Sequence, residues 1–511
     1  MSLRRSVRLR LAPALALLLC GALGLTALVG GCNASAHPRE LNAGTAVEGP
    51  SGTAPEARRP GGVLPRRAPF DRFLDDVQHR TFRWFWETTN PANGLVPDRW
   101  PNVSFSSIAA VGFGLASWPI GAERGWITRD QARERTLTTL RFLWNAPQGD
   151  AASGTAGYKG FFYHFVHMED GTRFETVELS TIDTALLLAG ALVAQGYFDR
   201  DDPAEAEIRR LVEDLYARVD WTWAQPRPPL LGHGWRPEGG LLPLDWRGYD
   251  ESMILYVLAL GSPTHPIAPA AWPEFTRTYR FERHYGQEYV AFAPLFGHQY
   301  SQIFVDFRGI RDEFMRARGL DYFENSRRAS LAHQAYAIAN PLGWEGYGAK
   351  VWGLTACDGP VHALLDYKGQ PRQFHTYSAR GTGVDYTLDD GTIAPTAAGG
   401  AVPFAPEIAI PALKEMKSRW GRWLYTRYGF LDAFNPSFRY EDVTLQHGRL
   451  EPGIGWFDSD YIGIDQGPIL LQLENYRNGF VWRMIRKSPH VVRGLQRAGF
   501  TGGWLGSGGA P

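Results

Sequence analysis

The chain has 511 residues with 53 Lys and Arg against 53 Asp and Glu, a zero formal charge that offers nothing to nucleic acid or another polyanion. Its length allows two or three domains of about 150 residues, or one large ring of helices. An apolar content of 44% is ordinary, but 18 Trp, 21 Tyr and 28 Phe suit both large cores and flat surfaces on which a ligand can stack.

In chain order, residues 1–31 read as a lipoprotein leader. Arg4, Arg5, Arg8 and Arg10 form a basic start, an apolar run follows, and Leu28-Val-Gly-Gly-Cys32 ends in small residues before a cysteine that would carry the lipid. Residues 32–68, rich in Ala, Gly, Pro and Arg, read as a tether. With Cys20 lost and Cys32 lipidated, only Cys357 remains and no intrachain disulfide can form. The expected location is the periplasm-facing or outer-membrane surface of a Gram-negative envelope, with membrane contact through the anchor only.

One folded domain is expected over 69–505, followed by a short tail at 506–511. Apolar spacing predicts a first helix over 71–89, and further helices over 106–117 and 128–144, the last opening on a capping box at Thr128-Arg-Asp-Gln131. The Gly- and aromatic-rich stretch 157–165 has the alternation of a short strand or hairpin. Ser180 or Thr181 can cap a strongly apolar helix that Gly196 would close. Helices are then expected over 203–219, 250–260, 309–318, 325–339, 406–420, 465–479 and 488–499. About twelve helices with few convincing strands, polar and apolar ones alternating, predict an all-α chain. The preferred architecture is an (α/α)6 toroid, with a two-domain helical protein as the alternative.

Four segments set carboxylates or paired polar groups beside aromatics at helix entrances. The first holds Glu175, Glu178 and Asp183, with His164 just upstream. The second is Asp245-Trp246-Arg247-Gly248-Tyr249-Asp250-Glu251. The third runs through His298, Gln299 and Tyr300 to Asp306 and Arg308. The fourth spans 456–468 with Trp456, Asp460 and Asp465. Trp344 and Asp358 are added as substrate contacts. Paired carboxyls with stacking aromatics are what glycoside cleavage needs, since one acid protonates the leaving oxygen while a second serves water or attacks. No His-x-x-x-His, Cys pair, Gly-x-Ser-x-Gly elbow or phosphate-cradling loop occurs, so neither a metal nor a cofactor is expected.

Several strings together carry a family resemblance: Glu178-Leu-Ser-Thr-Ile-Asp183, Gly297-His-Gln-Tyr-Ser301 with Asp306-Phe-Arg-Gly309, Asp321-Tyr-Phe-Glu-Asn-Ser-Arg-Arg328, Trp352-Gly-Leu-Thr-Ala-Cys-Asp-Gly-Pro360, Asp390-Gly-Thr-Ile-Ala-Pro395, Pro403-Phe-Ala-Pro-Glu407 and Ile464-Asp-Gln-Gly-Pro468 with Glu474-Asn475. Over about residues 70 to 500 the chain resembles the glycoamylase-like proteins of glycoside hydrolase family 144. The resemblance implies an (α/α)6 barrel that cleaves β-1,2-glucan with inversion, in endo or sophorose-releasing mode. It carries Glu178, Asp183 and Glu251 over as catalytic candidates, with Asp250 beside them. Glu251, on a partly buried helix entrance, is taken as the proton donor. The other expected contacts bind a glucan chain, and a monomer is expected. A non-catalytic glycan-binding lipoprotein and a glucan transferase or phosphorylase on the same fold stay open as alternatives.

Overall fold

A helix buried on most of its faces needs apolar residues all round, and six segments of this chain supply them. The computed structural model describes residues 70–102 and 104–506. By internal contacts the chain divides into Met1–Phe70 and Asp71–Pro511, and every described residue except Phe70 lies in the second unit. The leader at 1–31, Cys32 and the tether at 32–68 lie outside the described residues, as does all of the 506–511 tail but Gly506. No helix among the described residues is long and apolar enough to cross a membrane.

The six buried helices are Ile108–Glu123, Thr181–Tyr197, Met253–Gly261, Tyr300–Phe304, Pro395–Ala401 and Gly463–Asn478. Each packs on the next, a 3-10 turn at Leu295–His298 bridges the fourth to the fifth, and the sixth returns to the first. Helices with one buried face lie against this succession: Arg72–Thr88 on the sixth, Arg129–Asn145 on the first, Pro203–Ala217 on the second, Pro489–Arg497 on the third and Pro406–Leu424 on the fifth. The capping box at Thr128 and Gln131 forms as expected.

The first two buried helices touch backbone to backbone. A Cβ at Gly190 would stand 1.9 Å from the Gly112 carbonyl oxygen, and one at Gly112 would stand 2.4 Å from that of Leu186. Gly196 has a similar reason to be glycine. It lies inside the helix, which runs on to Tyr197 and is capped by Phe198, and a Cβ there would meet the Met484 carbonyl at 2.5 Å. It does not close the helix.

Short strands are far more numerous than expected. Among the described residues sixteen helices are accompanied by twenty-four strands, most of two residues, in small antiparallel sheets. Two residues show no alternation, so such strands leave no periodic signal. The 157–165 stretch does form a hairpin, Gly157–Tyr158 with Phe161–Tyr163, within a five-stranded sheet that continues through Leu179–Ser180, Gly234–Arg236 and Gly240–Leu241. The helix expected over 309–318 shrinks to Glu313–Arg316 behind the strand Ile310–Arg311, because Asp312 caps the chain there by accepting from Met315 N. A second, strand-rich core joins Trp344, Tyr367, Phe374, Phe438 and Trp456.

Three buried helices start directly from a two-residue strand. Ser106–Ser107 pairs with Phe165–Val166, Leu179–Ser180 lies in the five-stranded sheet, and Tyr461–Ile462 pairs with Arg99–Trp100. These ladders stitch the amino-terminal ends of the helices together, and polar side chains gather there. Replacing Gly190 with Ala forces the first two helices apart and lowers stability by about 1–3 kcal/mol. Gly239→Ala, at an exposed site with nothing within 4 Å, is the neutral control in the same urea titration.

Candidate active site

Thr181–Tyr197 opens with Ser180 accepting from Asp183 N at 3.2 Å, while the Ser180 hydroxyl also donates to the Asp183 carboxylate. That cap aims Asp183 out of the first turn, where the helix dipole favours negative charge. His164, leaving the hairpin, sits between two acids: Nδ1 is 3.0 Å from Glu178 Oε1 and Nε2 is 3.6 Å from Asp183 Oδ1. Burial disfavours a charged imidazole, but Asp183, Glu178 and Asp98 outweigh it and raise His164 to about 9. Burial also works against ionised Glu178, yet His164, together with Arg236 at 3.3 Å, holds it at about 2. The unit is therefore a carboxylate–imidazolium pair at neutral pH.

Glu251 has the opposite character. Burial, the adjacent Asp250 and the charge of Asp183 push its carboxyl well above the ordinary range, so it keeps its proton. Burial likewise lifts Asp250 to about 7, although it accepts from Ser252 N and Oγ at 2.8 and 2.5 Å. The Glu251 carbonyl is fixed by Ser301 Oγ at 2.6 Å. Tyr386, 41% exposed, donates its hydroxyl to the Ala379 carbonyl at 3.3 Å and is raised by burial first and then by Asp385 and Glu251, which puts it within electrostatic reach of Glu251. One protonated and one ionised carboxyl on neighbouring helix entrances can act as an acid and a base. Next to His164, Phe165 packs on Phe105, which with Phe174 lines a cavity of about 430 Å³.

A second wall is built from segments far apart in the chain. Asp98 and Arg99, Asp358, Asp432, Asp458 and Asp460, and Asp465 in the first turn of Gly463–Asn478 all lie buried or nearly so. Arg99 reaches Asp358 at 2.8 Å, Asp460 at 3.3 Å and Asp98 at 3.6 Å. Burial first, then mutual repulsion, pushes Asp432 and Asp458 well above the ordinary range, and burial does the same to Asp465. Asp98 rises to about 6 through burial, and its charge also acts on His164, so the two walls adjoin.

The remaining expected contacts separate cleanly. Trp246 is buried, stacked at 3.8 Å on His233, and donates to Thr181 Oγ1 at 3.0 Å. Tyr249 lies among His298, Tyr279 and Tyr322. His298 bonds the Phe292 carbonyl at 3.0 Å, and burial lowers it to about 4. Gln299 ties to the Ala397 carbonyl at 2.9 Å, and Tyr300 reaches that of Ile464. Trp344 and Trp456 belong to the strand-rich core. Buried on both faces, these side chains offer no surface to a sugar ring; they hold the helix entrances. Asp306 is paired with Arg308 at 2.7 Å and with Arg486, which makes it structural. Glu175 is exposed on a turn at φ +47°, outside the His164 network.

Sequence reasoning passed over Arg236, Asp98, Arg99, Asp432 and Tyr386, and chose no site role for Asp458. A signal existed for two of them. Asp98 in Leu95-Val-Pro-Asp and Asp432 in Phe430-Leu-Asp-Ala-Phe434 are lone acids in apolar runs, where a charge needs a reason. Arg236 ends a short strand and Tyr386 sits in a polar loop, and neither carries such a mark.

The succession of buried helices with an acid-lined mouth has counterparts among known proteins. The family model Glycoamylase matches residues 243–489. A crystal structure of a candidate glucoamylase from Bacteroides uniformis superposes with a TM-score of 0.72 at 31% identity, covering 86% of this chain and all of the other. An endo-β-1,2-glucanase from Chitinophaga pinensis, in complex with sophorotriose and glucose, gives 0.71 at 26% identity, covering 85% and 99%. An exo β-1,2-glucooligosaccharide sophorohydrolase of Parabacteroides distasonis is 28% identical over 464 residues, 84% of this chain and 58% of that protein, so this chain matches well under two thirds of that relative's length. The chain belongs to the glycoamylase family.

Because His164 is raised from 6.5 to about 9, its contribution is fully present below pH 6.5 and disappears as pH climbs through 9. That of Glu178, depressed from 4.5 to about 2, is present above pH 4.5 and disappears as pH falls toward 2. In thermal melts the stability gap between wild type and His164→Gln is accordingly widest from pH 4.5 to 6.5 and narrows on both sides.

Proposed function

We propose that this protein hydrolyses β-1,2-linked glucan, with Glu251 giving a proton to the leaving glycosidic oxygen. The observation that carries this reading is a carboxyl kept protonated at one helix entrance while the preceding entrance holds the Glu178–His164 ion pair, with Asp183 against the same imidazole. The substrate comes from the relatives, which are named for β-1,2-glucan and its oligosaccharides. An inverting reaction needs two carboxyls roughly 6.5–9.5 Å apart with a water between them. Glu178 or Asp183 serves that water or orients hydroxyls in this scheme. Tyr386 is the exposed ring placed to stack on a sugar next to Glu251. The scaffold is an (α/α)6 toroid, a reading supported by the closed succession of six buried helices and the half-buried helices against it. We propose also that the chain acts as a monomer tethered to the cell envelope through Cys32, on the strength of the small residues before that cysteine.

Purified protein is expected to shorten linear β-1,2-glucan and to leave β-1,3-, β-1,4- and α-1,4-glucans intact when products are resolved by size; intact β-1,2-glucan would sink the assignment. Glu251→Gln should cut kcat by about 10²–10⁴-fold with no loss in Tm, since an amide replaces a neutral acid. Asp250→Asn removes a charge that holds the Glu251 proton, so the alkaline limb of the pH–rate profile moves to lower pH.

A further inference from the structure

The second acidic wall holds more carboxyl groups than its surroundings provide with cations. Asp358, Asp432, Asp458, Asp460 and Asp465 are at most 2% exposed. Among the described residues Arg99 is the cation that reaches them, and its bonds go to Asp358 Oδ2 and Asp460 Oδ2. Asp460 is satisfied further by Asn102, whose N and Nδ2 donate to it at 3.4 and 3.0 Å. On the other carboxylates Asp358 Oδ1 and Asp458 Oδ2 are buried and accept no hydrogen bond, while the Asp432 and Asp465 carboxyls, also buried, have each other as their side-chain hydrogen-bond partner. A buried carboxylate oxygen left without a partner is costly, and two in one cluster compound the cost.

The backbone prevents the cluster from relaxing. Asp358 N donates to Asp432 Oδ2 at 2.8 Å, Asp432 N to the Asp460 carbonyl at 3.0 Å and Asp458 N to the Ala433 carbonyl at 3.0 Å. Three acids from three loop segments next to short strands are thus locked around a common point. Asp358, Asp432 and Asp458 each present an oxygen such that all three lie within 4.8 Å of one another. That is the span of two metal–oxygen bonds of about 2.4 Å on opposite sides of one ion.

We propose that Asp358, Asp432 and Asp458, with Asp465 beside them, bind a divalent cation of the calcium class at the mouth of the helix ring. Donors that are all anionic oxygen favour a hard ion, and a site furnished by protein carboxylates in a dry setting fits Ca²⁺ better than Mg²⁺, which keeps several waters. A neighbouring triad of Asp358, His447 and Asp460 is also close enough to hold an ion. Its Asp460 is already engaged by Arg99 and Asn102, which leaves the orphaned oxygens in the all-aspartate set. The ion would pin the segments that carry Asp432 and Asp458 to the loop that carries Asp358. Sequence gave no hint of this, because the ligands come from three distant segments without a spacing motif.

The test is metal analysis and melting of the purified protein, independent of any substrate. After equilibration with calcium and removal of the unbound ion, about one equivalent of calcium should remain per chain. EDTA should lower Tm by several degrees and added CaCl2 should restore it. In Asp458→Asn and Asp432→Asn the retained calcium is lost and EDTA no longer shifts Tm. If wild type retains no divalent ion and melts identically in EDTA and calcium, the cluster is closed by shared protons and the proposal fails. It fails equally if a metal is retained by both variants but lost in His447→Ala. Should the variants not fold, the wild-type comparison decides alone.

Discussion

A helix buried on every face can carry a charge only at its ends, and this constraint shapes the whole molecule. Such helices leave little room for charge along their lengths, buried Glu474 near the end of the sixth being an exception, and most acids of the site gather at the amino-terminal rim. There the free backbone N–H groups and the helix dipole already favour negative charge. Asp183 and Asp465 hold equivalent first-turn positions on the second and sixth helices. One ended up in a network with His164, the other among aspartates around Arg99. Position on the helix is the same; the neighbours decide the electrical character.

The division of labour between the carboxyls follows from those neighbours and not from residue type. Glu178 and Glu251 are both glutamates near a helix start. The first is held ionised against its burial because an imidazolium and a guanidinium face it, and the second is held neutral by burial, reinforced by the negative charges in reach. Opposed protonation states within one rim are the usual requirement for acid–base catalysis on a neutral substrate. The aromatics behave in the same conditional way. Trp246 and Tyr249 lie buried beside the rim, Trp344 and Trp456 are buried in the strand-rich core, and the exposed ring of Tyr386 comes from a polar loop.

Most buried helices were visible in the sequence, since runs such as Ala185 to Val193 or Met253 to Leu260 have no other use in a water-filled setting. The acids at their entrances were visible for the same reason. Two things were hidden. Strands of two residues have no period, so the ladders that stitch the rim left no trace. Which tryptophan shows a face to solvent depends on packing between segments far apart, as with Trp344 and Trp456, joined in one core across more than a hundred residues. The resemblance supplied a substrate that no single residue pattern could.

The contact between Gly112 and Gly190 has a mechanical side. With no side chains between the two backbones, there is no compliant layer to absorb sliding or tilting, and the pair behaves as a fixed frame. Asp183 hangs from one member of that frame, so its distance from the ring's interior is set by covalent geometry more than by packing. A bound ligand would then be accommodated by whatever can yield, such as the polar loop bearing Tyr386. The enzyme would meet variation in its ligand at the lip, while the floor keeps its dimensions.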